Sequence, residues 1–370
     1  MIYLGILIFN WLEEIIKKKS IVFPMLCLLY LAWLGGAPDP VTTLDYASYE
    51  ANYNSMFSLT YNSRFEWAYL SLAKMAYLSG MTYEQFRLIL VFGIFIILLV
   101  VVRRFTNNMA FFVGTFAMFP FFNEIVQIRS FAMYTLILLA ASFLIHVNKR
   151  NIIISALIIF LSAGFHSSGY FYFIFIAIRL LMHKHIKINS IIIMVSLISS
   201  VALMLTGSTS VGQNIAKIIG ILNKNTNATE NILSNFVGGG SALTTILSMI
   251  ALYTLLVILS KKMEVHIYKL TENNSYIAGK VESLMSLIYS GMLSLPLLLI
   301  SDQYQRFPRF GLETVIIMAA LYFEHNIRIF DRLKGMLISL VFVLILSVIF
   351  YGIPNSQMAQ SIPFLAHLKF

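Results

Sequence analysis

The chain has 370 residues, 59% of them apolar and only 11% charged, with a mean hydropathy of +0.83. A water-soluble domain carries about a quarter charged residues, so this sequence has too little polar surface to enclose a water-facing core, and lipid must be its main solvent. The net charge of +10 lies in short basic clusters between apolar runs, the placement that orients membrane spans, and no Lys/Arg stripe with interleaved aromatics points to nucleic acid.

We read a single membrane domain over residues 1–370, all-α and polytopic. The only cysteine, Cys27, lies inside an apolar run, which excludes an intrachain disulfide and a Cys-based metal site. The first apolar stretch lacks a basic leader and a small-residue cleavage site, and reads as a retained first span. A span needs roughly twenty apolar residues. In chain order about twelve candidates start near Ile2, Ile21, Tyr83, Met109, Phe131, Ile152, Gly169, Ile188, Ala242, Val281, Phe310 and Met336. Residues 65–79 (FEWAYLSLAKMAYLS) are too polar and too short to cross, and read as an amphipathic helix at the surface.

On this map seventeen of the 26 Lys and Arg residues fall on one side and nine on the other. The richer side is cytoplasmic by the positive-inside rule, which puts both termini outside. Two outer loops are long, about 37–82 and 207–240. The second is rich in Asn, Ser, Thr and Gly and reads as a binding loop or lid.

The chemistry-bearing residues gather at the outer ends. The first loop carries Asp45, Tyr46, Tyr49, Arg64 and Glu66. Arg129 sits where the fifth span begins, and Arg306 and Arg309 at the entry to the eleventh. The positive-inside rule disfavours such outer cations, so a function should hold them there. Arg grips phosphate with a planar fork and keeps its charge, and a helix start adds free N–H groups. The bland reading is snorkelling to lipid headgroups, or pairing of Asp302 with Arg306 and of Arg309 with Glu313. His166, in the tight turn Gly164-Phe165-His166-Ser167-Ser168-Gly169, has the ring to take a proton from a hydroxyl; its bland reading is a helix cap. Glu313, near the outer end of an apolar run, is a second candidate base. His183 and His185 lie among inner lysines and are not read as metal ligands. No nucleotide-binding loop, dinucleotide fingerprint, serine-nucleophile elbow or metal triad is present in the sequence.

Taken in order, these features resemble the EpsG-type family of bacterial capsular and exopolysaccharide polymerases, the Wzy-like membrane proteins. The residues that carry the resemblance are Lys17-Lys18-Lys19 after a short first span, Asp45-Tyr46 with Tyr49, and Arg64-Phe65-Glu66 before a surface helix. They continue with Gln127-Ile128-Arg129 followed by Ala132, Phe165-His166-Ser167-Ser168, and the Arg306/Arg309 pair.

The resemblance implies a GT-C-like fold in the bacterial cytoplasmic membrane. It implies a metal-independent glycosyltransferase without cofactor that moves a growing glycan from undecaprenyl diphosphate onto a lipid-linked repeat unit at the outer face. In that reading His166 is the base, and Arg129, Arg306 and Arg309 hold the diphosphate. Asp45, Tyr46, Tyr49, Arg64, Glu66 and Glu313 bind the substrate. The lipid-linked oligosaccharide and the bilayer are the partners, with the flippase and chain-length regulator of the same pathway. Two other classes stand beside it: a flippase for the same lipid-linked oligosaccharide, and a membrane O-acyltransferase. A flippase should show related halves and ionisable groups at the bilayer midplane, and the sequence shows neither.

Overall fold

The computed structural model describes residues 2–16, 21–41, 43–58, 63, 65–118, 120–184, 191–192, 194–196, 198–200, 243–272, 274–299, 302–325 and 333–341. Among these, every regular element is helical. Each expected span start falls within a few residues of a helical stretch, except that Ile188 and Ala242 lie outside the described residues. Arg64 and the 207–240 loop also lie outside them.

Two described segments are long and apolar enough to cross a bilayer by themselves, Tyr83–Phe105 and Ser275–Leu299. Shorter apolar helices occupy Val22–Gly36, Ile128–Phe143 and Ser167–His183. The expected fourth span is not one rod. It is two helices, Met109–Met118 and Pro120–Val126, meeting at 65°. Proline ends the hydrogen-bond ladder at that point because it has no N–H to donate and its ring crowds the preceding turn. The segment expected to lie at the surface is helical over Trp67–Leu78.

Contacts divide the chain into two compact units. The first holds residues 1–61, 68–135 and 319–370; the second holds 62–67 and 136–318.

In the first unit the helices are α1 (Ile2–Ile16), α2 (Val22–Gly36), α3 (Tyr46–Asn54), α4 (Trp67–Leu78), α5 (Tyr83–Phe105), α6 (Met109–Met118), α7 (Pro120–Val126) and the start of α8 (Ile128–Phe143). Thr82 opens α5 with a reciprocal cap: its hydroxyl takes the Gln85 N–H at 3.3 Å, and the Gln85 side chain takes the Thr82 N–H at 3.1 Å. Helices approach where side chains vanish. A methyl group on Gly35 would meet Ile125 Cγ2 at 2.5 Å, and one on Gly36 would meet the Leu88 backbone at 3.1 Å. In lipid there is no hydrophobic drive between apolar helices, so close packing at small residues supplies much of their association.

Arg87 locks the same junction. It is fully buried on α5. Its Nη2 donates to the carbonyls of Ile125 at 2.6 Å and Gly35 at 3.2 Å, and Nη1 donates to the Tyr83 hydroxyl at 3.3 Å. Gly35 and Ile125 end α2 and α7, where unpaired carbonyls carry partial negative charge.

In the second unit the main helices are the rest of α8, α9 (Lys149–Ala163), a 3-10 turn (Ser167–Tyr172), α10 (Phe173–His183), α11 (Leu243–Leu270), α12 (Ser275–Leu293) and the first part of α13 (Arg306–His325). Arg179 repeats the device of Arg87. It is buried on α10, donates through Nε to the Leu144 carbonyl at 3.0 Å just past the end of α8, and pairs with Glu282 of α12 at 2.6 Å. Serines bridge the remaining helices: Ser283 to the Ala141 carbonyl at 2.7 Å and Ser155 to the Ala140 carbonyl at 2.8 Å.

Gly35→Ala should therefore destabilise the protein by about 1–3 kcal/mol, because the methyl group must displace Ile125 beside the Arg87 contacts. Thermal unfolding in detergent checks this: the midpoint should fall, whereas Gly93→Ala, where an added methyl meets no neighbour within 4 Å, should leave it within a degree or two.

Candidate functional site

The sequence-predicted residues fall in both units, and each unit holds one group of them. In the first unit, α3 and the start of α8 bring Tyr49 to Arg129. The Arg129 guanidinium lies over the Tyr49 ring, 5.6 Å from its centroid, and Nε donates to the Tyr49 hydroxyl at 3.3 Å. Arg129 occupies the first turn of α8, at the positive end of the helix.

Tyr49 meets Tyr69 edge-on at 5.8 Å, Tyr69 meets Phe86 edge-on at 5.7 Å, and Phe86 stacks face to face on Tyr53 at 5.5 Å. Tyr53 continues to Tyr83 at 5.8 Å and Tyr83 to Tyr46 at 5.1 Å. The chain of rings ends on the second cation, since Arg87 lies 5.3 Å from the Tyr46 centroid. Burial, with Glu84 and Glu50 adding to it, pushes the Tyr46 phenol up to about 12 against the pull of Arg87. Tyr46 is thus a neutral donor at physiological pH.

Asp45 stands exposed at the entry to α3 with φ 63, one of two non-glycine residues in the left-handed region among the described residues. Short polar side chains tolerate that conformation best, at a cost of about 1–3 kcal/mol for strained backbone. It aims the Asp45 side chain outward while turning Tyr46 and Tyr49 inward.

In the second unit, His166 ends the extended approach from α9 to the 3-10 turn (φ −153). Gly169 makes the turn possible, because a methyl group there would lie 2.7 Å from the Ala163 nitrogen and 2.8 Å from its Cα. The backbone is held by Gly169 N–H to the His166 carbonyl at 2.9 Å and His166 N–H to the Ser162 carbonyl at 3.2 Å. Glu66 accepts the Ser167 N–H at 2.9 Å and so binds the surface segment to this turn.

The imidazole is contacted at both nitrogens. Nδ1 lies 2.7 Å from Ser168 Oγ and 3.2 Å from the Ser168 nitrogen, and Nε2 lies 2.5 Å from Arg306 Nη1. Arg306 opens α13, and Arg309 and Glu313 follow on the same helix, both buried. Phe307 packs on Phe171 and Tyr172 of the 3-10 turn at 4.7 and 5.9 Å, which registers the start of α13 against the His166 loop.

The expected residues are thus grouped as Asp45, Tyr46, Tyr49 and Arg129 in one unit, and Glu66, His166, Arg306, Arg309 and Glu313 in the other. Two members escaped the sequence reading. Arg87 was legible as the one cation inside the apolar helix Phe86 to Val102, where an ionisable group is a functional or structural marker by default. Ser168 was part of a quoted motif, but nothing in the sequence ties its hydroxyl to the ring of His166.

The second unit combines a ring nitrogen, a hydroxyl, a carboxylate and a guanidinium around one turn. Such a set can orient a sugar hydroxyl, hold a phosphate and accept a proton. No curated protein and no solved structure matches the chain. The model of the EpsG family matches residues 6–365. With nearly its whole length covered, and with helices that place it in a membrane, the chain belongs to the EpsG family, a family of Wzy-like, exopolysaccharide-related polymerases.

Proposed function

We propose that the protein transfers a growing glycan from an undecaprenyl diphosphate anchor to the non-reducing-end hydroxyl of a lipid-linked repeat unit, at the outer face of the bacterial cytoplasmic membrane. The observation that carries the reading is the direct contact of His166 Nε2 with Arg306, 2.5 Å apart. It joins a proton acceptor to a phosphate-binding cation in a chain of the EpsG family.

The step is a displacement at the anomeric carbon. The acceptor oxygen forms the new glycosidic bond as its proton passes to His166 Nε2. The old bond to diphosphate breaks, and its electron pair stays on the diphosphate oxygen. Arg306 and Arg309 grip the diphosphate and stabilise the charge that it gains, and Arg129 is a further candidate phosphate ligand. Preorganised cations aimed at developing charge are a large catalytic term, and here they do the work that a divalent metal does elsewhere. Asp45, Tyr46, Tyr49, Arg64 and Glu66 orient the sugars, and Glu313 is the second candidate base.

A deletion strain tests the reading as a whole. Single repeat units on lipid should accumulate facing outward; inward-facing units would indicate a flippase instead.

Arg129→Lys keeps the charge and loses the fork. Loss of a charge-assisted hydrogen bond costs about 1.5–3 kcal/mol, so polymer formation should fall by roughly 10- to 100-fold at equal protein in the membrane. Wild-type yield would return Arg129 to headgroup snorkelling.

Purified protein should polymerise lipid-linked repeats in excess EDTA at its usual rate. Loss of activity restored by a divalent ion would refute the substitution of Arg for metal.

A further inference from the structure

His166 is asked for two lone pairs and has one. If Nδ1 accepts the Ser168 N–H, the imidazole caps the 3-10 turn and its proton sits on Nε2. That N–H would then point at Arg306 Nη1 only 2.5 Å away, donor against donor. If the proton sits on Nδ1 instead, Nε2 accepts from Arg306 and Nδ1–H donates to Ser168 Oγ at 2.7 Å. The one contact then lost is the 3.2 Å approach of the Ser168 nitrogen.

Physical chemistry decides between the two. A guanidinium has donors only and keeps its proton in proteins. A hydrogen bond from a charged donor is roughly twice as strong as one between neutral groups. A serine hydroxyl can accept or donate by rotating, so it adapts to whichever proton the ring presents. The short contact and the fixed donor outweigh the long contact and the adaptable one.

We infer that the Arg306 guanidinium holds His166 in its Nδ1–H tautomer by taking the Nε2 lone pair, with the Ser168 hydroxyl receiving the Nδ1 proton. This rests on the functional reading above and deepens it. A base with its lone pair on Nε2 needs a partner for the proton on Nδ1. Here that partner is a hydroxyl at 2.7 Å, where a carboxylate would draw the proton more strongly. The same geometry ties the base to the diphosphate grip. Arg306 covers the lone pair until it turns to an anion, so the atom that takes the proton opens beside the group that leaves.

Nuclear magnetic resonance of ¹⁵N-histidine-labelled protein in lipid nanodiscs reads the tautomer directly. The chain has seven histidines, and the signal lost in His166→Gln identifies the ring in question. Wild type should show Nδ1–H and an unprotonated Nε2. Arg306→Met, which removes the donor at Nε2, should move the proton to Nε2 as Nδ1 takes the Ser168 N–H; Ser168→Ala, which leaves that donor in place, should keep the wild-type signature. Polymer formation should fall about tenfold or more in Ser168→Ala and recover in Ser168→Thr, which keeps the hydroxyl.

An Nε2–H ring in wild type overturns the inference, and that measurement needs no variant to fold. An Nδ1–H ring that persists in Arg306→Met overturns it too. A tautomer that follows Arg306 while Ser168→Ala polymerises at wild-type rate upholds the tautomer and sinks His166 as the base.

Discussion

A guanidinium buried in a lipid-solvated bundle keeps its charge and must find oxygen, and in both units of this protein it finds the ends of helices. Arg87 reaches the last carbonyls of α2 and α7, and Arg179 reaches the carbonyl just past α8. A helix leaves about four carbonyls without partners at its end, and no water replaces them at membrane depth. Cation and helix end therefore solve each other's problem. In the first unit the consequence runs to the candidate residue Arg129. Arg87 fixes Ile125 at the end of α7, α8 restarts at Ile128, and Arg129 is in its first turn.

The glycines serve the same constraint from the other direction. Gly35 and Gly36 let α2 lie against the backbone of α5 and the side chain of Ile125, and Gly169 lets the His166 turn lie on the end of α9. None of the three tolerates a Cβ without moving a neighbour. Each candidate group is thus set by backbone contact in its own unit. That suits chemistry in which a nitrogen and a guanidinium must meet to within a few tenths of an ångström.

Hydropathy and run length were enough to place most of the described apolar helices to within a few residues, because in lipid an apolar run must bond its backbone within itself. They were not enough to see the break at Pro120. Residues 109–126 are apolar throughout, and hydropathy does not register that proline withholds an N–H. The candidate residues were legible as outer cations and a turn histidine. Their partners were not, since Tyr49 lies 80 residues from Arg129 and His166 lies 140 from Arg306. No local spacing encodes such contacts. Arg87 was passed over for a related reason: on the positive-inside count it is one basic residue among nine on the sparse side, and its hydrogen bonds to Gly35, Ile125 and Tyr83 show that it holds helix ends together.

The break between α6 and α7 leaves carbonyls at the end of α6 in need of a donor. One of them, at Ala117, accepts the hydroxyl of Tyr3 from the opening turn of α1. The tyrosine lies 114 residues earlier in the sequence, and α1 lies against α6 where a methyl group on Gly114 would meet the Trp11 ring at 3.1 Å. The first helix is thus more than a tether that delivers the chain to the bilayer. It is a splint for a fractured span, so a leader sequence or affinity tag that exchanged this helix for another of equal greasiness would unset the bone.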